Sequence, residues 1–262
     1  MIPIGICLAT MGASYRQLRD AALRIETQGY DSLWLWDHYL SWNDPQQPVV
    51  EGLTALAAIA EATSRIKLGP LVANNTNRHP GRLAKIAATL QEIASGRLEL
   101  GIGGGGYEAE QAAFGIDQGT LAARTGRVIE ALQIIPQLWS GQPVTFAGEY
   151  YQLHDAVVSP APTPQPPIIV GARGPALSRA AGCYAQGLNL QWRDAAKFPV
   201  LFEALDYGLQ QAGRTRAGFD LSVHASYTDF TADADALLVR WQDLGFTRVI
   251  LYAEAGAIAA IP

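Results

Sequence analysis

The chain has 262 residues, 49% of them apolar and 16% charged, a mixture that can bury a large core and excludes a disordered polymer. Nineteen basic against twenty-four acidic side chains leave a net charge of −5, and no Lys/Arg run exists to track a phosphate backbone, so nucleic acid is not an expected partner. One domain is expected over residues 1–262, because a barrel of alternating strands and helices typically takes about 250 residues.

The N-terminus enters an apolar strand pattern at once, at Ile4, Ile6 and Leu8, without a basic leader. No uncharged stretch approaches the roughly 20 residues that span a bilayer, so a soluble cytoplasmic protein without membrane contact is expected. Cys7 and Cys183 lack CxxC spacing and read as buried apolar side chains rather than a disulfide or metal pair.

Along the chain, β-rich runs alternate with amphipathic helical patterns. Strands are expected at 4–9, 32–37, 66–72, 98–103, 168–171, 187–191, 221–226 and 248–252. Helices are expected at 15–28, 52–62, 82–94, 121–139, 175–184, 195–212 and 232–244, with a stunted Ala-rich eighth at 254–261. Strict alternation calls for parallel strands joined by right-handed crossovers, and eight units close a ring. The expected fold is therefore α/β, a (β/α)8 TIM barrel. Residues 143–153 form two extended runs around Ala147-Gly148, a short β-hairpin insertion between helix 4 and strand 5. The Pro-rich stretch 159–167 is stiff and should run over the surface into the fifth strand.

In such a barrel the site lies at the carboxyl ends of the strands. Asp37 and His38 close the second strand, and Asn74, Asn75, Thr76, Arg78 and His79 follow the third. Gly104, Gly105, Gly106, Tyr107 and Glu108 follow the fourth, Arg173 the fifth, and Trp192 with Arg193 the sixth. Histidine is the side-chain type suited to acid or base work at neutral pH, so His38 is the candidate acid or base, oriented by Asp37 or Glu108; a histidine capping the next helix is the other reading. The run 101–106 matches GxGxxG, but in the fourth unit and without an acid ending the next strand, so it indicates only that backbone approaches something flat or anionic. Arg173 sits between glycines before a helix, where N–H groups could hold a phosphate. The histidines at 38, 79, 154 and 224 show no metal-ligand spacing, so no metal is expected, and without a GxSxG nucleophilic catalysis is not expected either.

The chain resembles the luciferase-like monooxygenase superfamily, and within it the oxidoreductases that use the deazaflavin coenzyme F420. The resemblance rests on Ser-Leu-Trp-Leu-Trp-Asp-His at 32–38, Glu51-Gly52, Thr-Ser-Arg-Ile-Lys-Leu-Gly at 63–69 and Asn-Thr-Asn-Arg-His-Pro at 75–80. It continues through Ser-Gly-Arg-Leu-Glu-Leu-Gly-Ile-Gly at 95–103, Glu108 with Glu110, Phe114-Gly115 and Phe-Ala-Gly-Glu-Tyr-Tyr at 146–151. It implies a (β/α)8 barrel with a flavin or deazaflavin ring stacked in the mouth against a bulge at Leu71 and Val72, often a non-proline cis peptide. It further implies Asp37 near the ring edge, His38 as proton donor or acceptor, Trp42 on the substrate side, and Glu108 as a second acid. Asn75, Gly104, Gly105, Gly106 and Tyr107 would border the ring, and the phosphate would lie on Gly171, Ala172, Arg173 and Gly174. Where members often read Gly-Ala-Gly-Trp this chain has Gly104-Gly105-Gly106-Tyr107, and Val170-Gly171-Ala172 replaces a common Ile-Gly-Gly. The implied activity is hydride transfer between coenzyme F420 and a small organic substrate, in a homodimer. The alternatives are an FMN-dependent monooxygenase using reduced flavin and oxygen, a non-catalytic flavin-binding protein, and a barrel enzyme without a redox cofactor.

Overall fold

In the computed structural model, which describes residues 2–253, the chain runs β1 (Ile4–Leu8), α1 (Tyr15–Thr27), β2 (Ser32–Leu35), α2 (Gly52–Ala62), β3 (Lys67–Pro70), β4 (Ala73–Asn74), α3 (Pro80–Ile93) and β5 (Leu100–Gly103). It continues through α4 (Glu108–Ala113), α5 (Leu121–Leu138), β6 (Val144–Ala147), β7 (Gln152–Ala156), β8 (Ile168–Gly171), α6 (Pro175–Tyr184) and β9 (Gly187–Gln191). A 3-10 turn, Trp192–Lys197, leads into α7 (Phe198–Gln211), followed by β10 (Asp220–Ser226), α8 (Tyr227–Ala232), α9 (Ala234–Asp243) and β11 (Arg248–Ala253). The Ala-rich segment expected at 254–261 lies outside the described residues.

The main sheet is parallel throughout, in the order β3-β2-β1-β11-β10-β9-β8-β5-β4. Its two ends are β3, within the strand expected at 66–72, and β4, just beyond it, with the cis peptide Leu71–Val72 between them. Leu68 donates its N–H to Arg97 O at 3.1 Å and accepts from Glu99 N at 2.9 Å, which joins β3 to the segment entering β5 and closes the ring. The described residues therefore form the parallel strand ring of a (β/α)8 barrel, and each strand alternates between two cores. Outward positions such as Ile6, Leu33, Val170, Leu190, Val223 and Leu251 pack under the helices. Inward positions Cys7, Trp34, Trp36, Ile169 and Ile250 fill the barrel itself. Leu83, Ala87 and Leu90 of α3 belong to the outer core of the same chain.

Trp34 occupies the barrel centre, and glycines make room for it and for the neighbouring backbone. A Cβ on Gly69 would sit 2.0 Å from Glu99 O and 2.9 Å from the Trp34 ring. Below Trp34, Arg248 closes the amino-terminal end, its guanidinium 5.3 Å from the indole. It pairs with Glu99 at 2.6 Å, with Asp31 at 3.4 Å and with Asp220.

Helix boundaries depart from expectation where polar backbone interrupts the period. The helix expected at 232–244 is α9, which starts two residues later because Asp233 (φ −154°, ψ 56°) is not helical and separates it from the short, unexpected α8. Cys183, expected to be buried, is partly exposed. Between α5 and β8, β6 and β7 pair antiparallel. Glu130 of α5 holds the ribbon's tip by accepting N–H groups from Glu149, Tyr150 and Tyr151 at 2.7, 3.1 and 2.9 Å. No helix among the described residues is long and apolar enough to cross a membrane.

Replacing Arg248 with Met should leave Asp220 without its cation and Asp31 and Glu99 with only the half-exposed Lys67, at a cost of about 3 kcal/mol. Urea denaturation measures this, and a loss below about 1 kcal/mol would mean that the floor is not held by the ion cluster.

Candidate active site

The carboxyl end of β2 is fixed by a buried acid. Asp37 is 3% exposed, accepts the Asn74 N–H at 2.7 Å, and receives a two-pronged contact from Arg78 at 2.5 and 2.8 Å. Arg78 also reaches Glu51 at 2.8 Å, and Glu51 caps α2 by accepting the Thr54 N–H at 2.6 Å. Burial works against the charge on Arg78, but Asp37 outweighs it and keeps the guanidinium ionised. The expected ring-edge residue Asp37 is thus engaged inside the protein, tying β2 to the β4–α3 connection.

His38 projects past this anchor. Its Nδ1 lies 3.2 Å from the carboxylate of Glu110, whose side chain is fully buried at the start of α4. The same carboxylate accepts N–H groups from Tyr39 at 2.6 Å and Leu40 at 3.1 Å. Burial alone would raise the Glu110 pKa; the hydrogen bonds from His38, Tyr39 and Leu40 outweigh it and hold the carboxyl below the usual glutamate value. An ionised carboxylate only accepts, so Nδ1 of His38 carries the proton and Nε2 is left for other chemistry. The acid facing His38 is therefore Glu110; Glu108, expected in that role, is exposed on the first turn of α4. The two acids stand two residues apart, and on a helix only one can face the barrel. The sequence signal was present in the Glu-Ala-Glu spacing but required α4 to be seen. His38 caps no helix: Glu51 caps α2 and His79 caps α3. Around the His38 ring stand Trp42 at 5.3 Å, Tyr107 at 6.3 Å and Trp36 at 6.4 Å, all edge-on. Trp42 is 44% exposed and stands at the rim.

The opposite side of the mouth is bare. The inward positions at the ends of β5 and β8 are Gly103 and Gly171, where an added Cβ would come within 2.6 and 2.9 Å of the Val72 side chain. Val72, following Leu71, therefore presents its isopropyl group between two glycines. Gly105 has φ +71°, and a Cβ there would strike the Asn74 side chain at 2.4 Å, so glycine is required; at Gly106 a Cβ would meet nothing. Asn75 donates its N–H to Gly103 O at 2.9 Å and its Nδ2 to the Tyr151 hydroxyl of the ribbon at 3.1 Å, while its buried Oδ1 has no partner. Thr76 bonds Gly104 O at 3.0 Å. Asn75, Gly104 and Gly105 are thus brought together beside Val72.

Beyond Gly171 and Ala172, Arg173 is engaged by Asp194 at 2.8 Å, and Lys197 joins the same carboxylate at 2.9 Å. The hydrogen bond from Arg173, helped by Lys197, holds Asp194 down to about 2 against the opposing effect of burial. Arg173, expected to meet a phosphate, pairs with Asp194 while its side chain stays 59% exposed. What remains for an anion is the amino terminus of α6, where Gly174 supplies no side-chain cap and Pro175 no N–H, so the next backbone donors stay unpaired by the cap.

Comparison with known proteins follows this geometry. The family model for luciferase-like monooxygenases matches residues 2–253. The chain belongs to that family. It is 36% identical over 236 residues to an F420-dependent glucose-6-phosphate dehydrogenase of Kineococcus radiotolerans, covering 88% of this chain and 70% of that one. It is 34% identical to an F420-dependent hydroxymycolic acid dehydrogenase of Mycobacterium tuberculosis, over 80% of this chain but only 58% of that protein. An F420-dependent secondary alcohol dehydrogenase, solved with an F420-acetone adduct, superposes with a TM-score of 0.85 at 19% identity, covering 97% and 93% of the two chains, and shares the fold.

The Glu110 pKa is lowered by folding, so its stabilisation is complete above the unfolded value of about 4.3 and is lost as pH falls through the lower folded value. Glu110→Gln should therefore be less stable than the parent by about 1–3 kcal/mol at neutral pH, and the difference should shrink below about pH 4. Urea midpoints at the two pH values read it; a difference independent of pH would remove the carboxylate from this role.

Proposed function

We propose that the chain is an oxidoreductase that moves a hydride between coenzyme F420 and a small alcohol or carbonyl compound. The observation that carries this reading is the two-sided mouth: Val72 between Gly103 and Gly171 on one side, and His38 backed by Glu110 on the other. A side without Cβ atoms suits a flat fused ring. The unpartnered Oδ1 of Asn75 can accept from a ring N–H, and the amino terminus of α6 can take a phosphate. The residues present therefore fit the deazaflavin. When bound, it supplies a carbon centre that accepts or gives hydride in two-electron steps without the ready oxygen chemistry of a flavin.

The chain's own residues would manage the proton and the solvent. Nε2 of His38 would take the hydroxyl proton as an alcohol is oxidised, or return it as a carbonyl is reduced. Glu110 would fix the ring's orientation through Nδ1 and stabilise the imidazolium. Trp36, Trp42 and Tyr107 would keep water from the reacting carbon.

Relatives above 30% identity are named as F420-dependent dehydrogenases, which supports the deazaflavin over FMN. The chain spans between about three fifths and seven tenths of the length of these relatives, and the substrate is proposed for this chain on its own residues.

Titration followed by tryptophan fluorescence should show tight binding of F420 and weak binding of FMN; preference for FMN with oxygen consumption would reverse the assignment. His38→Ala should bind F420 as the parent does, yet reduce it about 10²–10⁴-fold more slowly with propan-2-ol or glucose 6-phosphate as donor. An unchanged rate would take the proton step away from His38.

A further inference from the structure

The inward positions of β9, β10 and β11 change character along the barrel axis. In the middle layer Asn189 bonds Ser222 at 2.9 Å, and Ile250 is wholly buried. One layer higher come Gln191, His224 and Tyr252, each partly accessible. A residue that points into a closed barrel and is still accessible faces the mouth. Gln191 and His224 are direct register partners on adjacent parallel strands, so their side chains stand side by side.

Neither side chain is satisfied. Oε1 of Gln191 and Nε2 of His224 have no hydrogen-bond partner among the described residues. Orphaned polar atoms in an enclosed site are destabilising, and a native protein keeps them for a reason. Two such atoms on paired positions form one waiting donor and acceptor set, because the Gln191 amide can turn over to present its nitrogen or its oxygen and the neutral His224 ring can carry its proton on either nitrogen.

The position of the pair relates it to His38. The His224 ring lies 5.1 Å from Tyr252, Tyr252 lies 5.8 Å from Trp36, and Trp36 lies 6.4 Å from His38. Two aromatic rings therefore separate the two histidines along one wall, facing the bare side at Val72. We propose that His224 and Gln191 form a second polar subsite of the substrate pocket, which binds a hydroxyl group of an uncharged polyol whose reacting carbinol lies at His38. The proposal rests on the hydride-transfer reading and extends it to a substrate class.

The charge state of the subsite fits an uncharged group. Burial, with repulsion from Arg193 at the rim, drives the His224 pKa down to about 4, so the imidazole is neutral in ordinary buffers. Neutral imidazole beside a carboxamide offers matched donors and acceptors to a hydroxyl and no net charge to an anion.

The test uses protein labelled with ¹⁵N-histidine, whose four imidazoles are distinguished by the signal missing in His224→Gln. F420 affinity is measured first by fluorescence, and His224 is then observed with and without F420 during titration with myo-inositol, cyclohexanol or inorganic phosphate. The expected result is a saturable shift of the His224 ring signals with inositol, about tenfold weaker with cyclohexanol, which lacks the second hydroxyl, and none with phosphate. In Gln191→Leu the advantage of inositol should fall by about tenfold while the His224 signal remains. No response to inositol, equal responses to inositol and cyclohexanol, or a shift caused by F420 alone would overturn the subsite. Absence of F420 binding would instead overturn the cofactor reading, and that outcome is visible separately in the fluorescence titration.

Discussion

Asp37 is a buried carboxylate whose charge can persist only if its oxygens are occupied, and the mouth of the barrel is organised by the groups that occupy them. Arg78 contributes a guanidinium from the end of the β4–α3 connection and the Asn74 N–H comes from β4, beyond the break, so β2 and β4 are drawn to a common point. Arg78 then reaches the Glu51 cap of α2, which brings the helix amino terminus against the Trp36 carbonyl at a position where only Gly52 fits. With that cluster in place, the chain after Asp37 has one course, past His38 and onto the fully buried carboxylate of Glu110. Removing the charge at Asp37 would therefore disturb His38 without touching it.

The barrel interior is divided between two kinds of wall. On the β5–β8 side glycines expose backbone and the Val72 methyls; on the β2–β11–β10 side rings project inward from Trp36, Tyr252 and His224. A flat cofactor and a substrate can stack between two such walls, the first where no Cβ intervenes and the second where aromatic edges and two imidazoles line the space. The carboxyl ends of the strands supply the chemistry while the amino-terminal end is sealed by Arg248 and its acids under Trp34, which separates the stabilising charges from the reactive ones.

Much of this was legible before the fold was seen, because strand and helix periods are local. The alternation of Ile6, Leu8, Leu33 and Leu35 with Cys7, Trp34 and Trp36 is a period of two, and it reads directly as a barrel strand with two buried faces. His38 was legible as an aromatic-flanked histidine at a strand end. The partner of His38 was not, since Glu108 and Glu110 look alike until the six-residue helix α4 turns one outward and the other inward. Arg173 was similarly ambiguous: its counterion, Asp194, lies 21 residues away on another unit, and no local pattern announces the pair. Gln191 and His224 were not legible as a pair for the same reason, because their juxtaposition is a matter of register between β9 and β10, which sequence spacing does not encode.

The most direct test of the two-walled mouth is a crystal structure of the protein grown with coenzyme F420. The account predicts the deazaflavin ring against Val72, Gly103 and Gly171, its phosphate at the amino terminus of α6, and the His38 Nε2 facing the open side of the ring. A ring bound on the Trp36–Tyr252 wall, or anywhere outside the carboxyl ends of the strands, would contradict it.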